Sequence, residues 1–276
     1  MTTNSTTRPK NRTNFRLWLG ARFYTVLRYG LWLFGGIHFA KRSGQDLEHT
    51  VFTHATPMLR RLKDVDMVLQ HNKAVNLRIA AKRLDGITIN PGEVFSYWKA
   101  IGKPTRRKGY LKGMVLRNGL FFPGIGGGLC QMSNLIYWMT LHTPLSVIER
   151  HRHDYDVFPD ADRKQPFGSG ATCFYNYGDL MLRNDTNHVF RLCIHIAEND
   201  LVGSWQSDAP PGYTYQVYER THMIKPELWG GFTRHNVLHR KKFDSQGLEM
   251  ADEYLTENHA IMMYTPLLEN SKTERS

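Results

Sequence analysis

Cysteine is scarce in this sequence. Three occur in 276 residues, Cys130, Cys173 and Cys193, and none belongs to a C-x-x-C pair. Three thiols so placed exclude a disulfide framework and fit a reducing compartment. Acidic residues are missing altogether from residues 1 to 45, the first being Asp46. Long apolar runs are missing too. The longest charge-free stretch near the N-terminus, Tyr29 to Ala40, has twelve residues, against the roughly 20 that a bilayer-crossing helix needs. A membrane span is therefore not expected. No internal repeat is visible, and a hydrophobic content of 41% excludes disorder of the whole chain.

What is present in the first 45 residues is positive charge. Arg8, Lys10, Arg12, Arg16, Arg22, Arg28, Lys41 and Arg42 carry most of the net charge of +11; without those eight, 28 Lys and Arg stand against 25 Asp and Glu. Such an arm reads as an attraction to an anionic surface. A membrane surface is the expected partner, and nucleic acid is not, because the body offers no reader motif. On a helix over residues 14 to 40, Arg16, Arg22 and Arg28 fall about 120° apart and make no amphipathic face. A signal peptide fits poorly, since His38 stands where a small residue is wanted before cleavage at Ala40. The expected arrangement is a solvated basic tail feeding a packed N-terminal helix, in a cytoplasmic protein able to associate with a membrane.

Beyond the arm, periodicity changes along the chain. Helical spacing of Val75, Ala80 and Leu84 predicts a helix between Pro57 and Asp85, with Gly86 as its cap. GITINPGEVFSYW places the turn signal Pro91-Gly92 between short extended runs, and GMVLRNGLFF places Asn118-Gly119 between two apolar runs, a strong hairpin signal. Met132, Leu135, Ile136 and Met139 share one face of a helix that Thr143-Pro144 stops. LSVIERHRH reads as a strand with His151 and His153 on one side. Two further strands flank Asn184-Asp185, the second with Phe190, Leu192, Ile194 and Ile196 on a buried face. Gly203 to Pro211 is the best boundary. The expected fold class is α+β, a mainly antiparallel sheet packed on a few helices.

One stretch carries chemistry: GIGGGLCQMSNLIYW, from Gly124 to Trp138. Glycine is costly before a packing helix, so three in a row point to a close approach of something to the backbone. Cys130 belongs in the first turn of the helix, where free N–H groups and the helix dipole favour a thiolate. The same turn can aim amides at an oxyanion. Phosphate binding is the weaker alternative, because no Lys-Ser or Lys-Thr follows as in a P-loop.

PGEVFSYWKAIG, PGIGGGLCQMSNLIYW, VIERHRH and the AT…GDLMLRNDT segment, taken together over residues 55 to 205, resemble the VanW family. GGGLCQMSN is the most specific of them. The resemblance implies a cell-envelope, glycopeptide-resistance setting, with the family's glycine loop and cysteine on Gly126, Gly127, Gly128 and Cys130, its histidine on His153 and an acidic residue on Asp179. Where the family usually has Asp before an Ala-Thr pair, this chain has Gly170 before Ala171-Thr172. Asp179 must then orient any catalytic histidine.

The resulting expectation is thiol-dependent acyl chemistry on a peptide or peptidoglycan precursor, without a cofactor. Cys130 is the nucleophile, His153 the base with His151 as alternative, and Asp179 the orienter. Gly126, Gly127, Gly128, Gln131, Ser133 and Asn134 are assigned to substrate binding. Two alternatives stay open: a non-catalytic module that grips wall precursors through the loop amides, and a zinc site built from Cys130, His151, His153 and Asp179. The expected organisation is a basic arm and helix (residues 1–54), a core (55–208) and a strand-rich extension (209–276).

Overall fold

Alternating apolar positions give this chain short antiparallel strands, and two helices with apolar faces cover them. A computed structural model describes residues 13–59, 66–117, 119–157 and 165–266. Helix α1 (Asn14–Phe34) leads to β1 (Lys41–Arg42), β2 (His49–Pro57), α2 (Met67–Leu84), β3 (Ile87–Ile89), β4 (Val94–Ser96) and α3 (Tyr97–Ile101). There follow β5 (Lys112–Arg117), β6 (Leu120–Ile125), α4 (Cys130–Thr140), β7 (Ser146–Glu149) and β8 (Tyr155–Asp156). The remaining strands are β9 (Met181–Arg183), β10 (Phe190–Ala197), β11 (Asp200–Ser207), β12 (Thr214–Pro226), β13 (Phe232–Phe243) and β14 (Glu249–Met262). The architecture is α+β, as the sequence predicts.

The largest sheet has the antiparallel order β1-β3-β10-β11-β2. In β10, Phe190, Leu192 and Ile194 are buried while His195 is exposed, so the expected alternation sets the inner face. Leu77, Ala80 and Leu84 of α2 and Met132, Leu135, Ile136 and Met139 of α4 meet that face in one core with Leu201 and Trp205. Fully burying a side chain of Leu or Met size is worth about 1.5–3 kcal/mol before ordering costs, so these helices are held chiefly by their apolar stripes.

Several local expectations are adjusted by pairing. The helix expected from Pro57 begins only at Met67, capped by Asp66 accepting from Val68 N (2.8 Å). Residues up to Pro57 are instead recruited into β2 by β11, with Pro57 opposite Asp200. The α2 helix ends as predicted, with Gly86 just past it in the left-handed region (φ +80°). The hairpin forms, with Arg117 of β5 opposite Leu120 of β6; Asn118 lies outside the described residues.

The strands around Asn184-Asp185 exist but are not partners. β9 joins β4 and β7, whereas β10 joins β3 and β11. Buried Asn184 makes that corner, its Nδ2 donating to the carbonyls of Ile89 (3.0 Å) and His188 (2.6 Å). At the C-terminal end, β12, β13 and β14 form a long antiparallel meander to which β8 adds in parallel. β11 runs through Ser207 and β12 begins at Thr214.

Candidate functional site

The glycine run packs backbone against backbone. A Cβ on Gly127 would meet the carbonyl carbon and oxygen of Gly113, in β5, at 2.2 Å, and a Cβ on Gly113 would meet Gly127 O at 2.4 Å. Buried Asn76 of α2 fastens the crossing. Its Nδ2 donates to Gly127 O (2.9 Å) and Leu111 O (3.1 Å), and its Oδ1 accepts from Leu111 N (2.8 Å). Among the described residues the N–H of Gly128 has no hydrogen-bond partner and that of Cys130 bonds its own thiol, while Gly126 N donates to Leu111 O and Gly127 N to Gly124 O. The Gly128 amide, just ahead of α4, is therefore available to an anion.

Cys130 is the first residue of α4 and half-buried. Its Sγ donates to Cys173 O (3.6 Å). Burial pushes the thiol above its ordinary value, outweighing backbone hydrogen bonds from Cys173 and Cys130 itself that pull it down. A helix start alone suggests a depressed value; here desolvation of the thiolate wins.

The rest of the first turn knits α4 into the body. Gln131 Nε2 donates to Thr56 Oγ1 (2.5 Å) and Pro57 O (2.9 Å). Ser133 Oγ donates to Ala171 O (2.6 Å), and Asn134 Oδ1 accepts from Ala171 N (2.8 Å). A Cβ on Gly170 would meet that same Asn134 oxygen at 2.6 Å.

The histidines part company. β7 ends at Glu149, short of the strand expected through His153, and His151 continues it only as an isolated bridge to Thr172, whose N–H donates to His151 O (2.9 Å). The His151 ring lies against Phe174 (centroids 5.5 Å) and its Nε2 donates to Glu149 Oε1 (2.9 Å). His151 and the Cys130 thiol thus attach to neighbouring residues of one segment, Thr172 and Cys173. Burial lowers the His153 pKa, and Asp154, which follows it, gives its carbonyl to Ile261 N of β14. Among the described residues no hydrogen bond joins Cys130 to either ring.

Asp179 is fully buried at the start of α3. Its Oδ2 accepts from Ser96 Oγ (2.5 Å), and its Oδ1 from Trp98 N and Leu180 N (2.9 Å each). Burial pushes its pKa up to about 6 against those hydrogen bonds. The acid beside a histidine is Glu149, which the motifs do not single out. A signal for it exists: Glu149 and His151 are two apart in VIERH, the spacing of same-side neighbours on an extended chain. Glu149 also accepts from Arg28 Nη2 (2.5 Å) and Asp179 N (3.0 Å). Burial works to raise its pKa, but the hydrogen bonds from His151, Arg28 and Asp179 hold it at about 2. Among the described residues no three His, Cys, Asp or Glu side chains are grouped to hold a metal ion, so Cys130, His151, His153 and Asp179 do not assemble as zinc ligands.

Comparison with known proteins agrees with the motifs. The model of the family described as "VanW like protein" matches residues 72–206. Over 196 residues the chain is 33% identical to the Vancomycin B-type resistance protein VanW of Enterococcus faecalis, covering 71% of this chain and 70% of that protein. It is 28% identical over 116 residues to the uncharacterized protein YoaR of Bacillus subtilis, covering 42% of this chain and 37% of that one. No solved structure gives a significant match. With its glycine loop, helix-start cysteine and collinear motifs inside the matched region, the chain belongs to the VanW family.

Proposed function

We propose that this VanW-family chain acts in the cell envelope in resistance to glycopeptide antibiotics, its Enterococcus relative being named a vancomycin resistance protein, and that Cys130 performs acyl chemistry on a peptide or peptidoglycan precursor. The observation that carries the chemical part is the His151–Glu149 pair, backbone-linked through Thr172 to the residue whose carbonyl holds the Cys130 thiol. His151 in place of His153 then serves as base, and Glu149 in place of Asp179 orients it. Because burial keeps Cys130 as a thiol, its proton must leave as attack occurs. The Sγ–H proton passes to His151 Nδ1, the sulfur bonds to the substrate carbonyl carbon, and the Gly128 amide receives the oxyanion. Collapse breaks the C–N bond, His151 returns the proton to the leaving amine, and water then cleaves the thioester.

The raised thiol pKa favours a second reading, a recognition module in which the same amide grips a precursor carboxylate without chemistry. Iodoacetamide labelling of the folded protein, mapped by peptide and followed against pH, separates the two. Catalysis requires Cys130 to label faster than Cys173 and Cys193, and His151→Ala to slow it while His153→Ala does not. Equal, slow labelling of all three thiols makes Cys130 structural and leaves recognition, which then requires a peptide stem to bind Cys130→Ser as tightly as the native chain.

A further inference from the structure

We propose that the outer face of α1 is seated in the surface of an anionic membrane, with the helix lying along the bilayer and the VanW body beneath it. The helix touches the body along one side, from Tyr24 against Tyr177 to Tyr29 against Tyr175. Ala21, Thr25, Arg28 and Trp32, in the middle of that side, fall within an arc of about 60° at 100° per residue; these are buried or half-buried, as are Gly20 and Gly30 elsewhere on the helix. Arg28 is the anchor, donating to Glu149 Oε1 and Tyr177 O (3.0 Å), while Lys99 Nζ reaches Trp32 O (3.4 Å) and Tyr29 Oη meets Tyr175 Oη (2.7 Å). The basic tail is expected to feed a packed helix; most of this one is not packed.

On the opposite side Leu19, Phe23, Val26, Leu27, Leu33 and Phe34 share an arc of about 120°, and all six are exposed, Val26, Leu33 and Phe34 by 68%, 70% and 86%. An apolar helix face turned to solvent calls for a covering surface. Charge selects that cover. No acid occurs in residues 1–45; exposed Arg22 stands about 20° outside the apolar arc with its guanidinium over exposed Trp18 (5.5 Å), and exposed Arg16 lies on the arc at its N-terminal end. Aromatic rings and snorkelling cations beside an apolar stripe suit the headgroup level of an anionic bilayer. A second copy would bring Arg16 and Arg22 together with their like. Crossing is disfavoured: no helix of the described residues is long and apolar enough to span a membrane, and Arg28 is tied to Glu149 in mid-helix.

The proposal does not rest on the thiol chemistry. Its test is co-sedimentation of the full chain with vesicles of phosphatidylcholine containing phosphatidylglycerol, compared with a triple variant carrying Leu19→Ser, Phe23→Ser and Leu33→Ser. These side chains point away from the body, and an unchanged urea unfolding midpoint will verify that the fold is intact. The native chain is expected to bind the anionic vesicles, less so at high salt, and the triple variant to lose about tenfold or more in affinity. Equal binding by the two would assign attraction to the basic tail alone and overturn the seated helix. So would absence of vesicle binding, or a native dimer in solution that the triple variant abolishes without any effect of vesicles.

Discussion

Arg28 of α1 and His151 beyond β7 share one oxygen, Oε1 of Glu149, at 2.5 and 2.9 Å. The N-terminal helix and the candidate base are therefore held by the same carboxylate, and Asp179 N completes the set at 3.0 Å.

Removing that carboxylate's charge leaves Arg28 buried without its counter-ion. Glu149→Gln should cost about 3 kcal/mol, read as a lower urea midpoint. The native chain should show the same dependence with pH. The Glu149 pKa is depressed from 4.5 to about 2, so its contribution is complete above pH 4.5 and is lost as pH falls towards 2, roughly 3 kcal/mol in all. A Glu149→Gln variant whose stability falls with acid as steeply as the native chain's would contradict this.

Asp179 has the opposite sign. Its pKa is raised from 3.8 to about 6, so the folded state holds the proton more tightly than the unfolded chain and stability declines as pH rises between those values. Asp179→Asn keeps an acceptor for Trp98 N and should flatten that decline, by about 2–3 kcal/mol relative to the native chain. Urea midpoints at a series of pH values from acid to neutral will measure it.

Gly127→Ala tests the backbone crossing. With Gly113 atoms at 2.2 Å from the new Cβ, the loop and β5 must separate, at about 3 kcal/mol or more. Gly92→Ala, at φ +77° but with nothing within 4 Å, meets only the backbone penalty of about 1–2 kcal/mol. Similar losses in the two variants would mean that the crossing is not tight.

An Asp at position 170, the residue the resemblance leads one to expect before Ala171-Thr172, should do harm here. Gly170→Asp puts a side chain into Asn134 Oδ1 and breaks its bond from Ala171 N (2.8 Å), so thermal unfolding should move down by several degrees, as about 1–2 kcal/mol implies for a chain of this size. Gly170→Asp combined with Asn134→Ala should recover part of the loss.

Elements with strong local signals are legible in the order of the residues. The α4 face of Met132, Leu135, Ile136 and Met139, the alternation of β10, the hairpin around Gly119 and the end of α2 at Gly86 each follow from residues a few positions apart. Cys130 at the start of a helix behind a glycine loop is legible for the same reason. Pairing partners are not. Nothing near Pro57 announces that β11 will claim it, and β9 and β10 look like a hairpin until the buried Asn184 sends them to different sheets.

Sequence alone determined the α+β class, the VanW motifs and the concentration of positive charge in the first 45 residues, because periodicity, motif and composition are properties of neighbouring residues. Tertiary structure alone decided what the polar groups do. It gave the glycines to Gly113 and Asn76, Asp179 to the start of α3, and Glu149 to His151 and Arg28. It also decided that the apolar side of α1 faces outward. The physical reason is that a buried donor or acceptor must find its partner wherever the fold brings one within reach, as across the 121 residues between Arg28 and Glu149.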